Sequence, residues 1–89
     1  MATDMSKDEL VNFMIMNIAE QLSRLPSSID TTSSLALQDV DSLALAELGI
    51  ALQDLLEREI ERDLFWEYIT IDAAAEHLAS KKSLPASEK

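Results

Sequence analysis

Residues 40–48 read Val-Asp-Ser-Leu-Ala-Leu-Ala-Glu-Leu, and this stretch decides which fold the chain can form. Apolar residues at helical spacing begin inside it and continue downstream, which predicts a long helix from about Ser42 to Glu59. The predicted buried positions recur every three or four residues: Leu45, Leu48, Leu52, Leu55 and Leu56. The opposite side carries polar residues: Glu47, Gln53, Asp54 and Glu57. Ser42 therefore lies at the N-terminal end of the helix, where its hydroxyl can reach another protein's active site.

Composition favours a single all-α domain. The chain has 89 residues, of which 47% are apolar and only 4% aromatic, so its core has room for three or four helices built from aliphatic side chains. One glycine and two prolines leave little material for β-hairpins. We expect a four-helix domain over residues 6–80, with three longer helices and a short third one. Residues 81–89 are expected to form a disordered C-terminal tail.

The charge of the chain restricts the class of partner. A net charge of −10 disfavours nucleic acid and anionic membrane surfaces and favours a basic protein partner. Between residues 37 and 67, nine acidic residues face only two arginines, so most of the charge surrounds Ser42. The chain has no cysteine, which excludes disulfides and thiolate metal sites. It also has no apolar run of about 18 residues and no signal-peptide pattern, so we expect a cytoplasmic protein.

Local signals place the other helices. Ser6 and Glu9 form a predicted capping box at the start of the first helix, which Pro26 is expected to end. Its apolar stripe comprises Leu10, Val11, Met14, Ile15, Ile18, Leu22 and Leu25. A loop over residues 27–41 follows, with three predicted buried anchors: Ile29, Leu35 and Leu37. A short apolar cluster over 64–68 predicts the third helix, and Thr70 is the predicted N-cap of the last one. Its predicted inner face consists of Ile71, Ala74, Ala75 and Leu78.

Three residues have structural interpretations. Gly49 lies inside the long helix, where glycine costs about 1 kcal/mol relative to alanine, and close approach by a neighbouring helix is the predicted reason. His77 is the single histidine, so a histidine metal site has no second ligand and a catalytic triad with Ser42 has no specified geometry. We expect His77 on the surface, no metal site and no catalytic activity of the chain's own. Ser42 alone could equally be a helix N-cap.

The context of Ser42 resembles the acyl carrier proteins. Residues 40–48 match that family's pattern of a hydrophobic residue, Asp-Ser-Leu, three variable residues and Glu-Leu. Upstream, Ile29-Asp30 and Leu35 are similar to the family's loop signature, and Leu52, Leu56 and Ile60 fall where its members keep buried aliphatic residues. The stretch 64–71, with Ala74 and His77-Leu78, is similar to the end of polyketide-synthase carrier domains. The resemblance covers roughly residues 8–80.

This resemblance implies an acyl-carrier-like four-helix bundle and a specific modification. A phosphopantetheinyl transferase would move 4'-phosphopantetheine from coenzyme A onto Ser42, and Asp41 would help to position magnesium and the coenzyme. The acid before the serine favours acyl over peptidyl carriers, and so polyketide or fatty-acid-like biosynthesis. The implied partners are that transferase, an acyl-loading enzyme (an acyltransferase or acyl-AMP ligase) and a ketosynthase or other enzyme of such a pathway. We expect a monomer.

The chain departs from the family pattern near Ser42. Asp39 stands where a glycine is usual, and Gln38 replaces the customary leucine. Glu57 takes another common glycine position, which predicts that the long helix continues further than usual. These changes affect the loop geometry and so the choice of partner, most of all at Asp39.

Six residues are predicted to form the partner-binding surface: Asp39, Leu43, Glu47, Ile50, Asp54 and Glu57. Core packing is an equal alternative for Leu43 and Ile50, and solvation is the alternative for each acid. An acyl chain could be sheltered near Leu48, Phe65 and Trp66, although such a stripe also fits plain core. The competing function from another class is an acidic helical adaptor that keeps the carrier fold without being modified. A small hydrolase using Ser42 ranks third.

Overall fold

The computed structural model describes residues 5–57, 59–61 and 63–80, and within them the protein consists of helices and loops. Four α-helices are formed: α1 (Lys7–Leu22), α2 (Ser42–Leu56), α3 (Leu64–Glu67) and α4 (Ile71–Ser80). Two short 3₁₀ turns, Pro26–Ser28 and Leu35–Gln38, divide the long loop between α1 and α2. The expected architecture of three longer helices and a short third helix is confirmed. The predicted disordered tail, residues 81–89, lies outside the described residues.

Helix α1 begins at the predicted capping box. The Ser6 hydroxyl accepts the backbone N–H of Glu9 at 3.2 Å, and the Glu9 carboxylate accepts the backbone N–H of Ser6 at 3.0 Å. The helix ends earlier than predicted, because Ser23 adopts a left-handed conformation with φ 55°. Leu25 consequently lies outside the helix with 72% of its surface exposed, and Pro26 starts the first 3₁₀ turn.

One aliphatic core joins the longer helices. Helix α1 packs most extensively on α4 and also contacts α2. The largest fully buried side chains come from all four helices: Leu10, Met14, Ile18, Leu48, Leu52, Leu56, Leu64 and Ile71. Three residues of the predicted α1 stripe are only partly buried at the margin of the core: Val11, Ile15 and Leu22. Among the described residues, none of the helices combines the length and the apolar character that a membrane span requires.

Helix α2 is shorter than the sequence predicts. It ends at Leu56 because Glu57 adopts a left-handed conformation, with φ 56° and ψ 40°. Asp39, which precedes the helix, is also left-handed, with φ 70°. Both residues therefore keep the backbone that a glycine would adopt without steric cost. The prediction that Glu57 extends the helix was wrong.

Gly49 is not required by a neighbouring helix. A Cβ atom placed on Gly49 would meet no heavy atom within 4 Å, apart from the helix's own backbone, so the predicted close approach was wrong. We expect Gly49→Ala to raise the free energy of unfolding by about 0.5–1 kcal/mol, because alanine has less backbone entropy to lose. Ala46→Gly, at an exposed position of the same helix, should lower it by about 1 kcal/mol. Urea unfolding of both variants measures the two changes, and a destabilised Gly49→Ala would contradict this explanation.

Helix α4 is anchored at both ends. The Thr70 hydroxyl accepts the backbone N–H of Ala73 at 3.0 Å, which confirms the predicted N-cap. Further along, Nε2 of His77 lies 2.9 Å from Oε2 of Glu61, and the His77 ring stacks on Tyr68 with centroids 4.3 Å apart. Only 17% of the His77 side chain is exposed, so its predicted surface position was wrong. His77 instead holds the segment around α3 against α4.

Candidate functional site

The loop before α2 is organised around Asp30. Its Oδ1 accepts the backbone N–H and the hydroxyl of Thr32, both at 2.9 Å, and its Oδ2 accepts the hydroxyl of Ser33 at 2.8 Å. These bonds, with the backbone N–H of Thr32 as the largest cause, hold the pKa of the Asp30 carboxyl below its usual value. As the pH falls into the range where an ordinary aspartate is protonated, Asp30 therefore keeps its charge, and the hydrogen bonds of this part of the loop persist.

Gln38 connects this corner to the segment that precedes α2. Its Oε1 accepts the backbone N–H of Asp30 at 2.8 Å, and its Nε2 donates to the Asp30 carbonyl oxygen at 2.7 Å. The leucine that is usual in the resembled family could form neither bond. Arg24, just after α1, donates to Oδ2 of Asp39 at 2.6 Å and to the Gln38 carbonyl oxygen at 3.3 Å. The two departures from the family pattern therefore stabilise the loop, and the predicted partner contact of Asp39 stays a prediction.

Apolar anchors and backbone bonds complete the loop. Ile29 and Leu35 are buried as predicted, but Leu37 is 82% exposed, so its assignment as an anchor was wrong. Val40 is the additional buried residue. The Leu35 N–H donates to the Ile69 carbonyl oxygen at 2.9 Å, which joins the loop to the segment between α3 and α4.

Asp41, and not Ser42, is the N-cap of α2. Oδ1 of Asp41 accepts the backbone N–H of Ala44 at 2.9 Å. Ser42 is the first helical residue and is exposed, and its hydroxyl makes no hydrogen bond to another residue of the described chain. The interpretation of Ser42 as a cap is therefore wrong. Its hydroxyl projects from a rigid helix start and remains accessible for reaction.

Five of the predicted partner residues, four in α2 and one at its C-cap, form one exposed stripe. Leu43, Glu47, Ile50, Asp54 and Glu57 follow each other at alternating spacings of four and three residues, and all five are exposed. Leu43 is 68% and Ile50 is 64% exposed, which decides against core packing for both. Within α2 itself there is no basic residue. The stripe is therefore an acidic surface with two apolar contacts, and its role in binding partners stays a prediction.

An apolar cavity of about 280 Å³ opens beside Ser42. Ser42 and Leu45 form one side of it, and Phe65, Trp66 and Ile69 form another. Leu48, predicted to shelter an acyl chain, is fully buried in the core and does not line the cavity. Phe65 and Trp66, the other two residues of that predicted shelter, do line the cavity, whereas its third side, which comes from the loop around Ala36, was not predicted. Sequence reasoning also missed the 80% exposure of Trp66, which gives α3 an outward aromatic ring.

The described residues contain no group of three or more metal-ligating side chains that could hold a metal ion. Nε2 of His77 contacts Glu61, so the structure gives no support to a triad of His77 with Ser42. What the site offers is one exposed hydroxyl, a neighbouring carboxylate, an acidic stripe and an apolar cavity. This arrangement suits a group that is acted upon and recognised by other proteins.

Comparison with known proteins identifies relatives of the chain. A family model described as the phosphopantetheine attachment site matches residues 13–78. Among solved structures, a free-standing peptidyl carrier protein from an uncharacterized secondary metabolic pathway of Acinetobacter baumannii is similar, with a TM-score of 0.81 and 29% sequence identity. That match covers 85% of this chain and 95% of the carrier protein. The comparison with curated proteins finds no match.

Proposed function

Because the chain belongs to the family of phosphopantetheine-binding carrier proteins, we propose that it carries its 4'-phosphopantetheine arm on Ser42 and holds acyl intermediates there as thioesters. The observation that carries this assignment is the exposure of Ser42 at the first residue of α2. Its hydroxyl is available because Asp41, and not Ser42, caps the helix. The arm supplies the reactive thiol, which agrees with the absence of cysteine from the chain.

The start of α2 fits a phosphate ester. Among the described residues, the backbone N–H groups of Ser42 and Leu43 make no hydrogen bond, so both can donate to phosphate oxygens. Fifteen residues of aligned peptide dipoles favour negative charge at this end of the helix. The residues present therefore suit a covalently attached phosphodiester on Ser42.

Asp41 has two separable roles in this proposal. Its Oδ1 caps α2, and its negative charge helps the transferase to position magnesium and coenzyme A. We expect Asp41→Asn to keep the cap and unfold within about 0.5 kcal/mol of wild type, whereas Asp41→Ala costs about 1 kcal/mol. Both variants should accept the arm more slowly. Urea unfolding measures the capping role, and the initial rate of arm transfer measures the role of the charge. A transfer rate to Asp41→Asn equal to that of the wild type would show that Asp41 acts only as a cap.

The α2 stripe is proposed as the surface that partner enzymes recognise. The partners are the phosphopantetheinyl transferase, an acyl-loading enzyme (an acyltransferase or acyl-AMP ligase) and a ketosynthase or other enzyme of a polyketide or fatty-acid-like pathway. Arg and Lys side chains on these enzymes complement Glu47, Asp54 and Glu57, while Leu43 and Ile50 supply apolar contacts near the arm. Each exposed ion pair contributes only about 0.2–1 kcal/mol, so binding is fast and reversible, as a shuttle requires.

Cargo loading tests the proposed function. The chain carrying the arm should gain the mass of an acyl group when it is incubated with a fatty acid, ATP and an acyl-AMP ligase. Hydroxylamine should remove that mass, because it cleaves thioesters. A peptidyl carrier is the second candidate, since the similar solved structure is one. Loading by amino-acid-adenylating enzymes, with none by acyl-loading enzymes, would replace the acyl assignment by the peptidyl one.

The alternative of an unmodified acidic adaptor makes a different prediction. An adaptor binds partners through its acidic surface without accepting an arm. A chain that several transferases leave unmodified would therefore support the adaptor.

A further inference from the structure

We propose that Gln21, in the last turn of α1, and Arg24, just after it, are positioning residues for Ser42. They fix the start of α2 on α1, so that the Ser42 hydroxyl meets the phosphopantetheinyl transferase in one orientation. This inference rests on the proposed function, because its readout is the transfer of the arm to Ser42. It assigns a role to two polar side chains that belong neither to the core nor to the α2 stripe.

Gln21 holds the first turn of α2 on one side of Ser42. Its Nε2 donates to the Ala44 carbonyl oxygen at 3.1 Å, two residues beyond Ser42, and to Oδ1 of Asn17 at 2.8 Å. These two acceptors use both protons of the Gln21 amide group, so the side chain is held in one orientation between α1 and α2. Both bonds are partly buried, which strengthens them relative to bonds in water.

Arg24 holds the chain on the other side of Ser42. Its backbone N–H donates to the Ala19 carbonyl oxygen at 2.9 Å, which ties Arg24 to the last turn of α1. Its guanidinium group donates to Gln38 and Asp39, four and three residues before Ser42. Because the donors of a guanidinium group have a fixed planar arrangement, two acceptors define the position of this segment more closely than a single charge would.

The two links lie close enough to Ser42 to determine its position. Only two residues separate Asp39 from Ser42, and they leave the segment little freedom, because Val40 is buried and Asp41 caps α2. A displacement of the chain at Asp39 or Ala44 therefore displaces Ser42.

The transfer reaction is sensitive to such a displacement. The Ser42 oxygen forms a bond to the coenzyme A phosphorus that bears the pantetheine. The pyrophosphate bond breaks, adenosine 3',5'-bisphosphate leaves, and the serine proton passes to a base of the transferase. Attack requires the oxygen in line with the leaving group, and a misplacement of about 1 Å can lower the rate of such a step about 100-fold.

Gln21→Met tests the first link, and Gln53→Met is its matched control. Methionine keeps the length and flexibility of glutamine but has no amide protons. We expect the kcat of arm transfer to Gln21→Met to fall about tenfold, with KM within about twofold of wild type, because the α2 stripe is unchanged. Gln53 accepts the backbone N–H of Ile60 at 3.2 Å, far along α2 from Ser42, so Gln53→Met loses one hydrogen bond and should keep both constants.

Arg24→Ala tests the second link, and Lys7→Ala is its matched control. Each variant removes one positive charge and one ion pair, since Nζ of Lys7 lies 3.9 Å from Oδ1 of Asp72 near the opposite end of α1. We expect kcat to fall about tenfold in Arg24→Ala and to stay within about twofold of wild type in Lys7→Ala. Arg24→Lys keeps the charge beside Asp39 without the two-acceptor geometry, so it should recover only part of the loss.

All rates are measured at a temperature at which circular dichroism shows each variant to be folded. Equal kcat values for Gln21→Met and Gln53→Met would show that the Gln21 bonds are merely structural and would overturn the inference. A rise of KM at constant kcat would also overturn it, because Gln21 and Arg24 would then belong to the recognised surface. Both results leave the proposed function standing, whereas a wild-type chain that gains no arm from any transferase would remove it.

Discussion

The Ser42→Ala variant is expected to accept no arm at all while folding like the wild type. The change removes the oxygen that forms the phosphate ester. Ser42 is exposed and its hydroxyl makes no hydrogen bond to another described residue, so the free energy of unfolding should change by no more than about 0.5 kcal/mol. A fluorescent coenzyme A analogue, a transferase and in-gel detection measure the transfer, and urea unfolding measures the stability.

Ser34→Ala is the matched control for this loss. Ser34 lines the same cavity as Ser42 but belongs to the loop, so it should accept no arm itself and its removal should leave labelling unchanged. Persistent labelling of Ser42→Ala, together with a loss in Ser34→Ala, would move the attachment to the loop serine.

A double charge reversal on α2, Glu47→Lys with Asp54→Lys, is expected to lower the kcat/KM of arm transfer by about tenfold. Each exposed ion pair contributes about 0.2–1 kcal/mol, and the lysines add repulsion toward a basic partner, so a total near 1.4 kcal/mol follows. Both residues are exposed on the stripe and distant from the buried face of α2. Stability should therefore change little.

Glu20→Lys with Glu76→Lys is the control, since it changes the net charge equally. These two exposed residues lie on α1 and α4, so arm transfer should stay within about twofold of wild type, with net charge as the only long-range effect. The defect of the α2 variant should also diminish as salt is raised, because exposed charges are screened beyond about 10 Å at 0.1 M. Equal defects in both double variants would show that net charge, and not the α2 stripe, is recognised.

The helices could be predicted because local rules and packing agree in them. The capping box of Ser6 and Glu9, the cap of Thr70 and the three- or four-residue spacing of aliphatic residues place α1, α2 and α4. Buried Leu52, Leu56 and Ile60 lie where the family pattern expects them. Periodicity therefore located most of the helical core, although Leu45 and Leu55, which it predicts as buried, are only partly buried.

The ends of helices could not be predicted in the same way. Ser23 and Glu57 adopt left-handed conformations that cannot be predicted from their residue types, so α1 and α2 both end earlier in the chain than the sequence predicts. The prediction for Gly49 was also wrong: a glycine inside a helix suggested close contact with a neighbouring helix, and no such contact is present. Tertiary geometry outweighs residue preference at such positions.

The candidate site was predicted in part. The stretch 40–48 and the helical pattern that follows it predicted the exposed Ser42 and the exposed stripe, because both depend on a single helix. The shelter predicted near Phe65 and Trp66 coincides with part of the cavity wall, but the contribution of the loop could not be predicted, because periodicity within a helix carries no information about the loop that packs beside it. The hydrogen bonds of Gln38 to Asp30 and of Arg24 to Asp39 could not be predicted either, because their partners are eight and fifteen positions apart and no sequence motif connects them.

The most direct test of the central claim is the intact mass of the wild-type chain. The chain is incubated with coenzyme A, magnesium and a promiscuous phosphopantetheinyl transferase, and the modified peptide is then fragmented. We predict a gain of one phosphopantetheine, located on Ser42 by the fragment ions. An unchanged mass with several transferases, or an arm located on another residue, would contradict the claim that Ser42 carries the arm.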